Sequence, residues 1–217
     1  MPPAKKLAKQ SDPAGDAGER FRSLLRRDFG TVAPLTDEQV EALWEHWRLY
    51  ERWNRVLNLS AIHDLETAVV KHYCESLFLG SCLPGQPACI VDVGSGPGFP
   101  GFPIAVLRPD CQIVLVESHQ RKAVFLKEAT RHTPNVSVFT GRADQLEAHF
   151  DWLVSRAVAW EDLEREAVRF ADRVGLLMSQ ADCNRLIQSN LFRWREPLPL
   201  PWGERGVVLM GDVPRET

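Results

Sequence analysis

From Cys89 onward, short apolar runs alternate with amphipathic stretches. The runs at 89–93, 112–116, 136–140, 151–155 and 174–179 have the length and β-branched content of buried strands. Between and after them, 101–108, 119–131, 161–172 and 181–190 carry apolar residues at helical spacing. Serial βαβ units of this kind predict a doubly wound, mostly parallel sheet and hence an α/β fold. Ahead of residue 80 the pattern is helical only. Thr36-Asp37-Glu38-Gln39 reads as a capping box. Val40, Leu43, Trp44, Trp47, Tyr50 and Leu57 follow at helical spacing, predicting one long helix over 37–57. A shorter helix is expected over Arg20–Arg27, and Asp64 can cap another that runs to Leu79. Trp44, Trp47 and Trp53 belong to the apolar interior of this helical cap rather than to a stacking ladder. Leu83-Pro84-Gly85-Gln86-Pro87 reads as a linker, and two further strands are expected near 192–196 and 206–211 around a Pro197–Trp202 connection. Three parts follow: a disordered Pro-, Ala-, Lys- and Gly-rich tail over 1–19, a helical cap over 20–80 and a sheet domain over 85–213.

Composition narrows the function classes. A net charge of −3 excludes a general nucleic-acid coat, so an RNA partner would need a local basic face. No apolar run reaches the roughly 18 residues of a membrane span. The five cysteines are an odd number without a Cys-x-x-Cys pair. They argue against a disulfide framework, a disulfide-linked partner and a zinc site, and fit a reducing cytoplasm.

Candidate chemistry sits where the first apolar run ends. Ile90-Val91-Asp92-Val93 leads into Gly94-Ser95-Gly96-Pro97-Gly98-Phe99-Pro100-Gly101. Glycines at 94, 96 and 98 would let a ligand approach the backbone. The second strand ends in Glu117, 25 residues after Asp92, the distance at which such folds place a carboxylate against a ribose. An adenosine-type cofactor is implied. A dinucleotide fingerprint counted from Gly94 fails at Phe99; counted from Gly96 it matches, but lies beyond the tight turn. Pro97, Pro100 and Pro103 donate no N–H, whereas a pyrophosphate requires a row of them. The loop therefore suits a ligand without phosphates, and Asp-x-Gly-x-Gly-x-Gly resembles the S-adenosylmethionine site of class I methyltransferases. A nicotinamide or flavin dinucleotide is the rival ligand, and a purely structural turn the plainer alternative.

Several segments, in order, resemble one family, the 16S ribosomal RNA guanine-N7 methyltransferases known as RsmG or GidB. They are Trp53-Asn54-Arg55-Val56-Leu57-Asn58-Leu59-Ser60-Ala61-Ile62, Lys71-His72-Tyr73-Cys74-Glu75-Ser76-Leu77, and the double Gly-Phe-Pro run of 98–103. Val116-Glu117-Ser118 with Arg121-Lys122-Ala123-Val124-Phe125-Leu126, then Arg142-Ala143-Asp144, then Ser155-Arg156-Ala157-Val158-Ala159 complete the set. The chain departs from the family pattern in carrying Glu117 for Asp, Asp144 for Glu, and Ser179-Gln180 where Lys-Gly is usual. The resemblance implies a class I S-adenosylmethionine-dependent methyltransferase with a Rossmann-like sheet and an N-terminal helical cap. It implies S-adenosylmethionine as cofactor, S-adenosylhomocysteine as product, and as partner the 16S ribosomal RNA within a small-subunit particle, acted on by a monomer.

Residue roles follow from the loop and the resemblance together. Glu117, with Ser118, would hold the cofactor ribose. Asp92 would accept from loop N–H groups, from the methionine amino group, or from both. Gly94, Gly96, Gly98 and Phe99 would line the methionine side, Ala143 and Asp144 the adenine side. Asp144 as a solvated helix cap is the alternative. Arg156 could pair with the cofactor carboxylate, where the resemblance places it, or with an RNA phosphate. Lys71, Arg121 and Lys122 are the candidate RNA contacts, with a plain solvated helix face as the alternative for Arg121 and Lys122, and an open cleft rimmed by these and Arg156 would favour RNA over a small molecule. His72 reads as packed rather than catalytic, and Asn58 as a helix cap or a base contact. No Asn/Asp-Pro-Pro-aromatic loop follows strand four, and no proline precedes Cys183. Guanine N7 needs neither device, because it presents a lone pair without a proton. A non-catalytic cofactor-binding or ribosome-associated module and a small-molecule methyltransferase are the alternative functions.

Overall fold

A computed structural model describes residues 13–188, 192–203 and 205–214. Four helical segments come first: α1 (Pro13–Phe29), α2 (Asp37–Leu57), α3 (Leu65–Ala68) and α4 (Glu75–Cys82). A π-helical turn over Val69–Cys74 joins α3 to α4. The capping box at Thr36 forms as read, with Gln39 N–H on Thr36 Oγ1 and Thr36 N–H on Gln39 Oε1. Asn58 ends α2 in the left-handed conformation at φ 47°. Asp64 caps α3 by accepting from Thr67 N–H at 2.8 Å. The first helix is longer than its pattern suggested. It starts at Pro13, not Arg20: proline suits the first helical position, and within the added turn Gly18 lies against the Trp44 indole. Residues 1–12 of the expected tail lie outside the described residues.

The sheet holds β1 (Cys89–Val93), β2 (Gln112–Glu117), β3 (Val136–Thr140), β4 (Phe150–Arg156), β5 (Ala171–Ser179), β6 (Arg193–Trp194), β7 (Leu198–Pro199) and β8 (Gly206–Asp212). Its order is β3-β2-β1-β4-β5-β8-β6, with β7 pairing β8 off this path. Strands β1 to β5 are parallel, and β8 returns antiparallel to β5. Helices α5 (Gly101–Leu107), α6 (Gln120–Ala129), α7 (Trp160–Phe170) and α8 (Gln180–Leu186) make the crossovers and the link out of β5. Strand β5 begins at Ala171, three residues earlier than read from sequence, since Ala171 pairs with Phe150 at the start of β4. Helix α7 ends at Phe170 for the same reason. The Pro197–Trp202 connection contains the short β7; its Pro199 is tolerated at a sheet edge.

Two apolar cores lie on the two faces of the sheet. One face packs Trp152, Val154 and Leu177 with Phe99, Phe102 and the cap residues Phe21, Leu25, Leu43 and Tyr73. The other packs Leu153, Leu176 and Leu209 with Leu163, Ala167 and Phe170 of α7. The cap is therefore continuous with the sheet interior. Both cores stop at the carboxyl ends of the strands, where the loops carrying the candidate residues converge.

Candidate cofactor and substrate site

The turn after β1 consumes its own hydrogen-bond donors. Gly94 and Ser95 N–H both donate to Val116 O, at 3.1 and 3.0 Å. Gly98 and Phe99 N–H donate to Ser95 O. Gly96 N–H donates to Glu117 Oε2 at 3.0 Å, and Gly101 N–H to Asp92 Oδ2 at 2.9 Å. With Pro97 and Pro100 lacking an N–H, no backbone donor from 94 to 101 is left for a pyrophosphate. Gly94, Gly96 and Gly98 all have positive φ, at 76°, 56° and 97°. A Cβ on Gly96 would meet only Gly94 O, at 4.0 Å, so this loop faces open space there. Gly94 is exposed, and Val158 from the loop after β4 lies against it. Gly98 points inward, toward Phe102, His46 and Leu126.

Glu117 is buried, and both its oxygens accept backbone N–H groups: Oε2 from Gly96 and Oε1 from His119 at 2.7 Å. A carboxylate has further lone pairs for a ribose. Gly141 N–H on Glu117 O brings the turn carrying Ala143 and Asp144 to the same edge. Ser118 and Asp144 are exposed, and Asp144 pairs with Arg142 at 3.4 Å. Asp92 stands behind the loop with no exposure, and its Oδ1 has no partner among the described residues. Burial pushes its carboxyl up to about 7, against the Gly101 N–H and the Ser95 hydroxyl. Its Oδ2 braces the loop at the Gly101 N–H.

The cap fastens the loop through a residue the sequence reading passed over. His46 of α2 is buried, with Nε2 3.0 Å from Pro97 O and Nδ1 2.8 Å from the Tyr73 hydroxyl. Because Pro97 O only accepts, Nε2 carries the proton and Nδ1 accepts from Tyr73. Desolvation holds this imidazole near pKa 3, hence neutral. His46 occupies an apolar-face position of α2, and that spacing was its only sequence signal. Phe99 is packed inside this cluster, stacked on His72 at 4.4 Å and edge-on to Tyr73. His72 is buried, as its apolar helix face implied, and lies 3.2 Å from Ser60 Oγ.

Beside the loop, a cleft of about 940 Å³ opens over the carboxyl ends of β4 and β5. Val158, Trp160, Leu176 and Leu177 line its wall, and Lys71, Glu75 and Arg156 its cap side. Arg156 leaves the end of β4 on the cap side, donates to Lys71 O, and has Nη1 3.3 Å from His72 Nδ1. The structure thus brings Lys71 and Arg156 into one cleft. It does not bring Arg121 and Lys122 there: they stand on α6, without an ion pair among the described residues. Helix α6 ends at Ala129, and Glu128 lies 3.6 Å from Arg52 of α2.

The family described as rRNA small subunit methyltransferase G, GidB, matches residues 39–176. The chain belongs to this family. Among curated relatives named "Ribosomal RNA small subunit methyltransferase G", that of Dichelobacter nodosus is 42% identical over 141 residues, covering 63% of this chain and 66% of the relative. That of Glaesserella parasuis is 38% identical over 129 residues, covering 58% and 63%. The chain thus spans less than two thirds of the length of these relatives. Among solved structures, the magnesium protoporphyrin IX methyltransferase of Synechocystis with bound SAM superposes with a TM-score of 0.54 at 16% identity, covering 84% of this chain and 99% of that one. A SAM dependent methyltransferase from Aquifex aeolicus gives a TM-score of 0.54 at 9% identity, covering 67% and 93%. Likeness at this level establishes the fold, that of class I S-adenosylmethionine-dependent methyltransferases.

Proposed function

We propose that the protein transfers the methyl group of S-adenosylmethionine to N7 of a guanine in 16S ribosomal RNA, acting as a monomer on a cytoplasmic small-subunit particle. The observation that carries the cofactor is the loop: its glycines leave room at Gly96, while its N–H groups are already spent. That combination suits a ligand without a pyrophosphate. Membership of the GidB family supports the substrate. In this reading Glu117 and Ser118 take the ribose, Gly94 and Gly96 admit the methionine portion, and Ala143 and Asp144 border the adenine. Asp92 and Gly98 hold the loop from behind, and Phe99 fixes it to the cap.

The cofactor supplies an electrophilic methyl group on a sulfonium. Guanine N7 bears no proton, so the chain need not supply a base to remove one. What the residues do is align. The loop is pinned at Val116 O, Glu117, Asp92 and His46, and the cleft over β4 and β5 receives the base beside it. Positioning of this kind is worth roughly 7–11 kcal/mol in favourable cases.

The test is transfer of labelled methyl to small-subunit particles, with the product nucleoside identified after digestion. Label in 7-methylguanosine is the expected result. Label on an exocyclic amine, a ribose or only a small molecule would refute the substrate. Cofactor binding with no transfer would favour a non-catalytic module.

A further inference from the structure

Glu75 takes no part in the roles assigned so far, yet its surroundings are unusual for a carboxylate. Its side chain is only 7% exposed, and it sits between two cations that arise from different elements. Lys71 Nζ, on the π turn, is 2.9 Å away; Arg156 Nη2, from the end of β4, is 3.8 Å away. A buried carboxylate demands such partners, because an unpaired buried charge is strongly destabilising. The partners themselves are not used up. Lys71 keeps 44% of its side chain exposed and Arg156 19%, and both line the cleft. The cluster therefore presents two positive charges against one negative at the cleft mouth.

We infer that Glu75 is a positioning residue that sets Lys71 and Arg156 as a paired oxyanion site, and that the oxyanion is a phosphate of the nucleotide whose base enters the cleft. The inference deepens the RNA methyltransferase reading and rests on it. Placement favours the RNA over the cofactor carboxylate. The cleft runs from β4 over β5 toward α8, whereas Gly96 and Glu117 mark the β1–β2 side. Its apolar wall of Val158, Leu176 and Leu177 with Trp160 suits a nucleobase, and its volume exceeds that of one nucleotide. The guanidinium is also held by Lys71 O and His72, so it is aimed before any ligand arrives.

Glu75→Gln separates positioning from charge. Removing a negative charge beside two cations would by electrostatics alone strengthen the hold on an anion. Loss of positioning weakens it. Methyl transfer to small-subunit particles should show KM raised at least tenfold, kcat changed less than threefold, and S-adenosylmethionine affinity unchanged within twofold. Glu75→Asp, which keeps the carboxylate, should recover part of the loss. Lys71→Met, at a half-exposed position, should reproduce the KM effect even if Glu75→Gln fails to fold. Its dependence of log KM on log salt should flatten by the roughly 0.7–0.9 of one phosphate contact. An unchanged or lowered KM in Glu75→Gln and Lys71→Met overturns the inference. Lost cofactor affinity at unchanged KM also overturns it, by assigning the cations to the cofactor carboxylate. Wild-type protein measured alongside keeps the two readings apart: no 7-methylguanosine from wild type sinks the proposed function, whereas an active wild type with unaffected variants sinks only this inference.

Discussion

Replacing Asp92 by Asn tests whether the glycine loop is held by a carboxyl that resists ionisation. Asp92 is fully buried, and its carboxyl is raised from 3.8 to about 7 by that burial. The unfolded chain loses the proton near 3.8, the folded chain near 7. Between those values the folded state binds more protons, so stability falls as pH rises through the window and stays low above it. A rise of this size corresponds to roughly 4 kcal/mol in full. Asp92→Asn keeps an oxygen for Gly101 N–H and removes the titration. His46 and His72, both held near 3, act with the opposite sign. The unfolded chain protonates them below about 6.5 while the folded chain does not, so they cost stability as pH drops from 6.5 to 3. They are common to both proteins and cancel in the comparison. Urea unfolding followed by circular dichroism, at pH 5 and pH 8, should show the Asn variant gaining on wild type by roughly 2–3 kcal/mol between the two. A difference that is the same at both pH values would refute the reasoning and show that Asp92 ionises freely in the fold.

Four further outcomes are expected. Gly96→Val should lose at most roughly 2 kcal/mol to its positive φ, since its side chain enters open space, yet abolish S-adenosylmethionine binding in calorimetry. Gly101→Ala should instead lose about 1–3 kcal/mol of stability by overpacking, because its Cβ would run into the Leu115 side chain and lie 2.8 Å from Asp92. Glu117→Ala should weaken the cofactor by about 1.5–3 kcal/mol, read by the same titration. Replacing Arg121 and Lys122 together by Ala should weaken binding to small-subunit particles in a filter assay, most at low salt, while cofactor affinity is unchanged.

Periodicity carried most of the architecture. The parallel strands and their helices followed from alternating apolar runs, because β1, β2, β4 and β5 are buried on both faces, while β3 lies half-buried at the sheet edge. Boundaries failed at the start of α1, where Gly18 lies against Trp44, and where pairing overrode local pattern, at Ala171, which Phe150 draws into β5. In the site, Gly94, Gly96 and Glu117 were legible because a turn and a carboxylate at fixed spacing serve one purpose. Three features were not. His46 looks like any residue on an apolar helix face. The pairing of Glu75 with Arg156 joins positions 81 residues apart. The separation of Arg121 and Lys122 from the cleft depends on which way α6 faces, and a count of charges does not encode that.

The indole of Trp202 donates to Asp28 O at 3.1 Å, and its ring lies 6.5 Å from Phe29 and 6.0 Å from Phe78. The first helix is thus finished by a residue made 174 positions later. Translation runs from the amino end at about 5–20 residues per second, so α1 waits on the order of ten seconds or more for this partner. During that interval the carbonyl of Asp28 and the rings of Phe29 and Phe78 are without their final cover. A nascent chain arrested before Trp202 would therefore present a sticky amino-terminal helix, and rare codons in the preceding stretch would lengthen its exposure to chaperones.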